Sequence, residues 1–139
     1  MYSFISRRTA GSAVLVAAAL LVAACGALKP VPPEKAVSQR ALDYWAARKA
    51  GQVDKAYALS TPSYRKLRTE AQFRQKLGTA ASFETAEVYS VNCESEKCNV
   101  RMKLGVKPNL PRLNIGIIDT YLDEIWLLED GQWWHHQEP

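Results

Sequence analysis

The feature that most restricts the fold of this chain is a change of hydrophobic period near Phe83. Before it, apolar side chains recur at three- and four-residue spacing; after it they alternate with polar ones. A helix repeats about every 3.6 residues and a strand every two, so one kind of element cannot satisfy both stretches. The order implies an α+β fold in which N-terminal helices pack on antiparallel strands.

In the second half, Tyr89, Val91 and Cys93 alternate with polar or smaller residues. Beyond Glu94-Ser95-Glu96-Lys97, the run Cys98, Val100, Met102, Leu104 and Val106 alternates with Asn99, Arg101, Lys103 and Lys107. This is a hairpin. Opposing Cys93 to Cys98 places Val91 against Val100 and Tyr89 against Met102 on one apolar face, so register and pattern agree. In a thiol-oxidising compartment the pair is expected as a Cys93–Cys98 disulfide. A metal site is the rival, but two cysteines four residues apart without a second ligand pair are a poor zinc signal, so no metal or other cofactor is expected.

Pro108 and Pro111 make the stretch from Lys107 to Arg112 a loop, because neither can donate to a ladder. Asn114 to Leu128 then reads as one long strand or a bent pair. Asp130-Gly131 joins it to a last strand by a strong two-residue hairpin signal. That turn opposes Leu128 to Trp133 and Leu127 to Trp134, so both hairpin faces are apolar. One should cover the helices; the other is a pocket wall, an interface or a local cluster.

The first half opens a helix at Pro33-Glu34, with Val37, Ala41, Tyr44, Trp45 and Arg48 on one face and Gly51 as its stop. Gln52 to Ser60 reads as a second short helix with Val53, Ala56 and Tyr57 inward. Thr61-Pro62 then caps a turn carrying Tyr64 and Leu67. Thr69-Glu70-Ala71-Gln72 fits a capping box for a third helix, with Phe73 and Leu77 inward and Gly78 as its end. The cations Lys55, Arg65, Lys66, Arg68, Arg74 and Lys76 form either a solvated helical face or a surface for anionic headgroups or an acidic partner.

At the N-terminus, Met1 to Arg8 carry two arginines and Ala10 to Ala24 form an apolar run of signal-peptide length. The run is shorter than the ~20 residues that span a bilayer and ends in Val22-Ala23-Ala24-Cys25. Those four residues resemble the bacterial lipobox. The resemblance implies cleavage before Cys25, a diacylglyceryl thioether on its sulfur, an N-acyl chain on the freed amine in many bacteria, and stable anchoring by two or three chains. Gly26 follows, not the Asp that retains lipoproteins in the inner membrane of enteric bacteria. The expected location is therefore the inner leaflet of the outer membrane, facing the periplasm. Arg7-Arg8 hints at a twin-arginine signal, but Ala10 and Gly11 stand where apolar residues would follow, which favours the general secretory route. The expected organisation is a signal peptide over 1–24, a lipidated Cys25 with a proline-rich tether over 25–33, and a single periplasmic domain over 34–139. The tether is a plain spacer or a peptide that docks into a partner.

Of the 18 Lys+Arg set against 14 Asp+Glu, Arg7 and Arg8 leave with the signal peptide, which makes the body nearly neutral and gives no argument for nucleic acid. A body of this length buries roughly two thirds of its unfolded surface around one core.

Two stretches resemble small bacterial members of the nuclear transport factor two-like superfamily: Ala41-Leu42-Asp43-Tyr44-Trp45 with Gly51 and Ala56-Tyr57-Ala58-Leu59-Ser60-Thr61-Pro62, and Trp126-Leu127-Leu128-Glu129-Asp130-Gly131-Gln132-Trp133-Trp134. The resemblance covers residues 34 to 137. It implies a cone-shaped α+β fold, helices on a strongly curved antiparallel sheet, found both in isomerases and dehydratases and in members with no chemistry. Asp119, Tyr121 and Asp123 share one strand face. With ideal pairing, His135 opposes Trp126 and His136 opposes Ile125, which sets Asp123 diagonal to His136 as a candidate acid/base dyad; solvated polar residues near a strand end are the plainer reading. No Ser-His-Asp set, phosphate-binding glycine loop or zinc-ligand spacing appears.

The expectation is a non-enzymatic, lipid-anchored binding domain that partners an envelope protein in a secretion or conjugation assembly. Tyr44, Trp45, Trp126, Trp133 and Trp134 are its candidate pocket or interface. The alternative is a small apolar ligand in a cone walled by Tyr44, Trp45 and one sheet face, with isomerase or dehydratase chemistry a distant third.

Overall fold

The computed structural model describes residues 30–77, 83–108 and 115–138. The stretch expected as a signal peptide, Cys25, most of the proline-rich tether, Gly78 and the part of the expected loop around Pro111 lie outside these described residues. No helix within them is long and apolar enough to cross a membrane.

Four helices precede four strands: α1 (Pro33–Lys49), α2 (Val53–Ala58), α3 (Pro62–Leu67), α4 (Glu70–Leu77), β1 (Phe83–Glu94), β2 (Lys97–Val106), β3 (Ile118–Glu129) and β4 (Gln132–His135). They belong to one compact unit, Val31–Pro139. The strands form one antiparallel, curved sheet in the order β1-β2-β3-β4. The α+β expectation is met, with one helix more than the three counted from sequence: the turn after Thr61-Pro62 continues to Leu67.

Helix α1 starts where expected, with proline in its first turn and Glu34 near the positive end of the dipole. It ends in a Schellman arrangement: Gln52 N–H donates to the Ala47 carbonyl at 2.9 Å and Gly51 N–H to the Arg48 carbonyl at 3.1 Å. Gly51 holds φ +69°, which only glycine adopts without cost. Val37, Ala41, Tyr44, Trp45 and Ala47 are its buried residues. Thr61 caps α3 by accepting from Tyr64 N–H at 3.2 Å, and Thr69 and Gln72 form the reciprocal capping box ahead of α4. Tyr64 and Phe73 are buried from these short helices, whereas Leu67 is 66 % exposed.

Cys93 and Cys98 oppose each other at an S–S distance of 2.02 Å, and Val91 opposes Val100. One residue further the sequence register fails. Met102 faces Val88 and not Tyr89, because a bulge inserts Tyr89 between Val88 and Ser90. Tyr89 is consequently exposed and stacks edge-to-face on Tyr121, with centroids 5.2 Å apart. A second shift lies between Phe83 and Thr85. Two bulges, together with Glu84, Glu87 and Glu94, make the edge of β1 a poor template for another strand. At the opposite edge, His135 N–H donates to the Leu59 carbonyl at 2.9 Å and Thr61 N–H to the His135 carbonyl at 3.1 Å, so the chain before α3 pairs with β4.

The Asp130-Gly131 turn holds positive φ at both residues, 52° and 75°, as this type of hairpin requires. Its register sets Leu128 against Trp133 and Leu127 against Trp134. Leu128 and Trp133 join the core, which holds Trp126, Phe73, Met102, Val37 and Val100 at its most buried positions.

Candidate functional site

The inward face of β3 carries Leu122, Glu124, Trp126 and Leu128, since alternate residues share a face. Glu124 is a carboxylate in an apolar row, 6 % exposed. Helix α1 crosses above it and presents Tyr44, Trp45 and Arg48. Trp45 Nε1 donates to Glu124 Oε1 at 2.7 Å, and Trp126 Nε1 donates to Oε2 at 3.2 Å. Both oxygens therefore have a partner, which lowers the cost of burying them. Burial still dominates: it raises the Glu124 carboxyl to about 7, against the indole hydrogen bonds and Arg48, which pull it down.

His135, opposite Trp126 on β4, completes the cluster. Its ring lies 4.4 Å from that of Tyr44 and 5.2 Å from that of Trp126, centroid to centroid. Its Nε2 is 3.7 Å from Glu124 Oε1, and its Nδ1 lies 3.1 Å from Gln137 Nε2. The amide donates there, so Nδ1 accepts and the proton sits on Nε2. Burial, then Arg48 and His136, lower the His135 value to about 3; the imidazole is neutral and the approach to Glu124 is not an ion pair. Burial also pushes the Tyr44 phenol up to about 12. The Arg48 guanidinium covers Trp45, 4.4 Å from its centroid.

The arrangement holds a near-neutral acid beside a neutral imidazole, the raw material of proton transfer. It leaves little room for a substrate: Tyr44, Trp45, Trp126 and Val100, which pairs with Glu124, pack around it at 4 % exposure or less. Clefts among the described residues include three away from this cluster. One is lined by Tyr64, Arg68, Gln72, Gln75 and Lys76, one by Asp43, Ala46, Ala47, Ala50, Gln52, Lys55, Ala58 and Leu59, and one by Ser90, Asn92, Asn99, Val100, Arg101 and Asp123. None of these three is lined by Glu124 or His135. Among the described residues, no three His, Cys, Asp or Glu side chains converge to hold a metal ion.

Of the two readings of the polar residues near the strand end, the structure favours the plainer one. Asp123 and His136 do not form an inward dyad: Asp123 is on the outer face, 3.8 Å from Arg101, along with Asp119, which pairs with Lys103 at 3.0 Å. Their neighbours Glu124 and His135 take the inward positions instead. Of the aromatics expected at a pocket or interface, Tyr44, Trp45, Trp126 and Trp133 are core residues. Trp134 is half-buried beneath two guanidinium groups, Arg40 at 4.8 Å and Arg65 at 5.0 Å, and its Nε1 donates to the Glu129 carbonyl at 3.0 Å. The second hairpin face is thus a local cluster. Cys25 lies outside the described residues.

Comparison with known proteins returns likeness in structure alone. No family model matches the chain, and no curated relative matches it. The solution structure of a SEC-C motif containing protein from Rhodopseudomonas palustris is similar at a TM-score of 0.51, with 13 % identity, over 67 % of this chain and 69 % of that one. A crystal structure described as a proposed NTF2-like transpeptidase from Campylobacter jejuni scores 0.39, with 8 % identity, over 78 % of this chain and 100 % of the other. The first likeness extends to the fold; the second is too distant to carry an argument. The class defined is an α+β domain of helices on a curved antiparallel sheet, the architecture that the superfamily resemblance implies.

Proposed function

We propose that this chain is a lipid-anchored, non-enzymatic binding domain of the bacterial envelope. It is tethered through Cys25 to the inner leaflet of the outer membrane and serves a periplasmic assembly such as a secretion or conjugation apparatus. The lipobox resemblance of Val22-Ala23-Ala24-Cys25 supports the anchor. The observation that carries the binding role is the occupied interior: both oxygens of Glu124 are held by indoles and side chains fill the space where a substrate would sit, which leaves the surface as the working part.

Two measurements in the native host test this reading. Mass spectrometry should find the acyl chains on Cys25, and Cys25→Ser should move the protein from the membrane to the soluble periplasmic fraction. Crosslinking in intact cells should capture an envelope protein. Recovery of only monomer and lipid would remove the binding role.

A second reading keeps a small apolar ligand but relocates it. The cleft between α1 and α2, about 540 Å³, is walled by Ala46, Ala47, Ala50, Ala58 and Leu59, with Asp43 and Lys55 also in its lining. This is the composition of a ligand groove, whereas the interior beneath α1 is filled.

A further inference from the structure

The cleft between α3 and α4 has a volume of about 360 Å³ and is lined by Tyr64, Arg68, Gln72, Gln75 and Lys76. Every one of these side chains can donate a hydrogen bond, and none is a carboxylate. The ring of Tyr64 is buried, and Arg68 stands close enough to oppose the rise that burial gives its phenol. The Gln72 carbonyl oxygen is committed to Thr69 N–H at 2.9 Å, so the amide nitrogen is the end left for a ligand. The Arg68 carbonyl accepts from the Tyr57 hydroxyl at 2.6 Å, which fixes the backbone from which the guanidinium projects.

The basic run read from sequence divides here into committed and uncommitted cations. Arg74 is paired with Glu70 at 2.8 Å. Arg65 donates to the Ser60 carbonyl at 3.1 Å and covers Trp134. Lys66, Arg68 and Lys76 enter none of the ion pairs among the described residues; Lys76 donates to the backbone carbonyl of Glu138. Between Lys66 and Arg68 stands Leu67, 66 % exposed, the most exposed large apolar side chain of the four helices.

We propose that this face binds an anionic lipid headgroup, with its phosphate in the cleft between Arg68 and Lys76 and Leu67 entering the acyl boundary. A convergence of donors without a carboxylate calls for an anion. An exposed leucine next to Arg68 in the chain calls for hydrocarbon, and a lipid surface supplies both at once. A free phosphate or an acidic peptide would satisfy only the donors. The proposal deepens the membrane-anchored reading by naming which face turns to the lipid.

The test is hydrogen exchange of the full chain reconstituted in phosphatidylcholine vesicles with and without phosphatidylglycerol. Amides of residues 62–77 should exchange several-fold more slowly in the anionic vesicles, and salt should reverse the effect. Combining Arg68→Gln with Lys76→Gln should abolish the difference, since two cations near an anionic surface are worth roughly thirtyfold in affinity. Leu67→Ser should weaken it while leaving any response to inorganic phosphate in detergent unchanged. Equal exchange in the two vesicles overturns the proposal. So does equal protection by inorganic phosphate alone, which marks a free-anion site, or protection by polyglutamate with none from phosphatidylglycerol. Absence of acyl chains on Cys25 would refute the anchor without touching this comparison, because the same chain meets both lipid compositions.

Discussion

Glu124 holds both oxygens against indole N–H groups, one from α1 and one from its own strand, and this residue controls how stability varies with pH. Its folded value, about 7, lies above the ordinary carboxyl value. The folded state therefore binds the proton more tightly than the unfolded chain, and its contribution is full below about pH 4.5 and lost as pH rises through 7. His135 works in the other direction: lowered to about 3, it stabilises above the ordinary imidazole value near 6.5 and loses that contribution as pH falls. Arg48 acts on both groups, and the neighbouring His136 acts on His135. Stability should peak in the mildly acidic range where both contributions are largely retained. Trp45→Phe removes one donor from the carboxylate and should cost about 1–3 kcal/mol. In urea unfolding the loss should be larger at about pH 8 than at about pH 5, because the lost bond supports the ionised form. An equal loss at both values would reduce Trp45 to a packing residue.

Hairpins are where the sequence was most legible and where its limit is sharpest. Cys93 against Cys98, Val91 against Val100, and Trp133 and Trp134 against Leu128 and Leu127 were all readable, because a turn of known length fixes the register on both sides. The pairing of Tyr89 with Met102 failed because a bulge adds a residue to one strand without leaving a gap in the hydrophobic alternation: Val88 is as apolar as Tyr89 and takes its place. The face containing Asp119, Tyr121 and Asp123 was correctly grouped. Which face turns inward was not seen, although the lone carboxylate at Glu124 between Leu122 and Trp126 and the pairing of His135 with Trp126 were the signals. Trp45, far away in sequence, gave no local hint of Glu124 as its partner. The disulfide closes only a short loop, so by chain entropy it should contribute roughly 2 kcal/mol. Reduction should lower the unfolding free energy measured in urea by that amount while leaving the domain folded, as its core rests mainly on α1 and the sheet. Collapse of the whole domain on reduction would instead make the hairpin its main support.

For the domain as a whole, the superfamily resemblance carried the layer order correctly, helices on a curved sheet, but could not tell whether its interior is open. Side-chain volume settles that, and the decisive volume here belongs to Trp126, fully buried, donating to Glu124 and set edge-on to Tyr44 with centroids 6.5 Å apart. Trp126→Ala should cost about 3–5 kcal/mol, a large part of the roughly 5–15 kcal/mol available to a domain, and leave a cavity of indole shape. Free indole added to the variant should then raise its melting temperature, since a ligand that binds only the folded state stabilises it by mass action. Without indole, water entering beside Glu124 should bring the carboxyl back toward its ordinary range, flattening the loss of stability between about pH 5 and pH 8. The comparison separates a filled interior from an open one: a cost below about 1 kcal/mol with no response to indole would mean that Trp126 already borders empty space. In that case the acid and imidazole beneath α1 would have room for a substrate, and the weight would return from the surface to chemistry at Glu124 and His135.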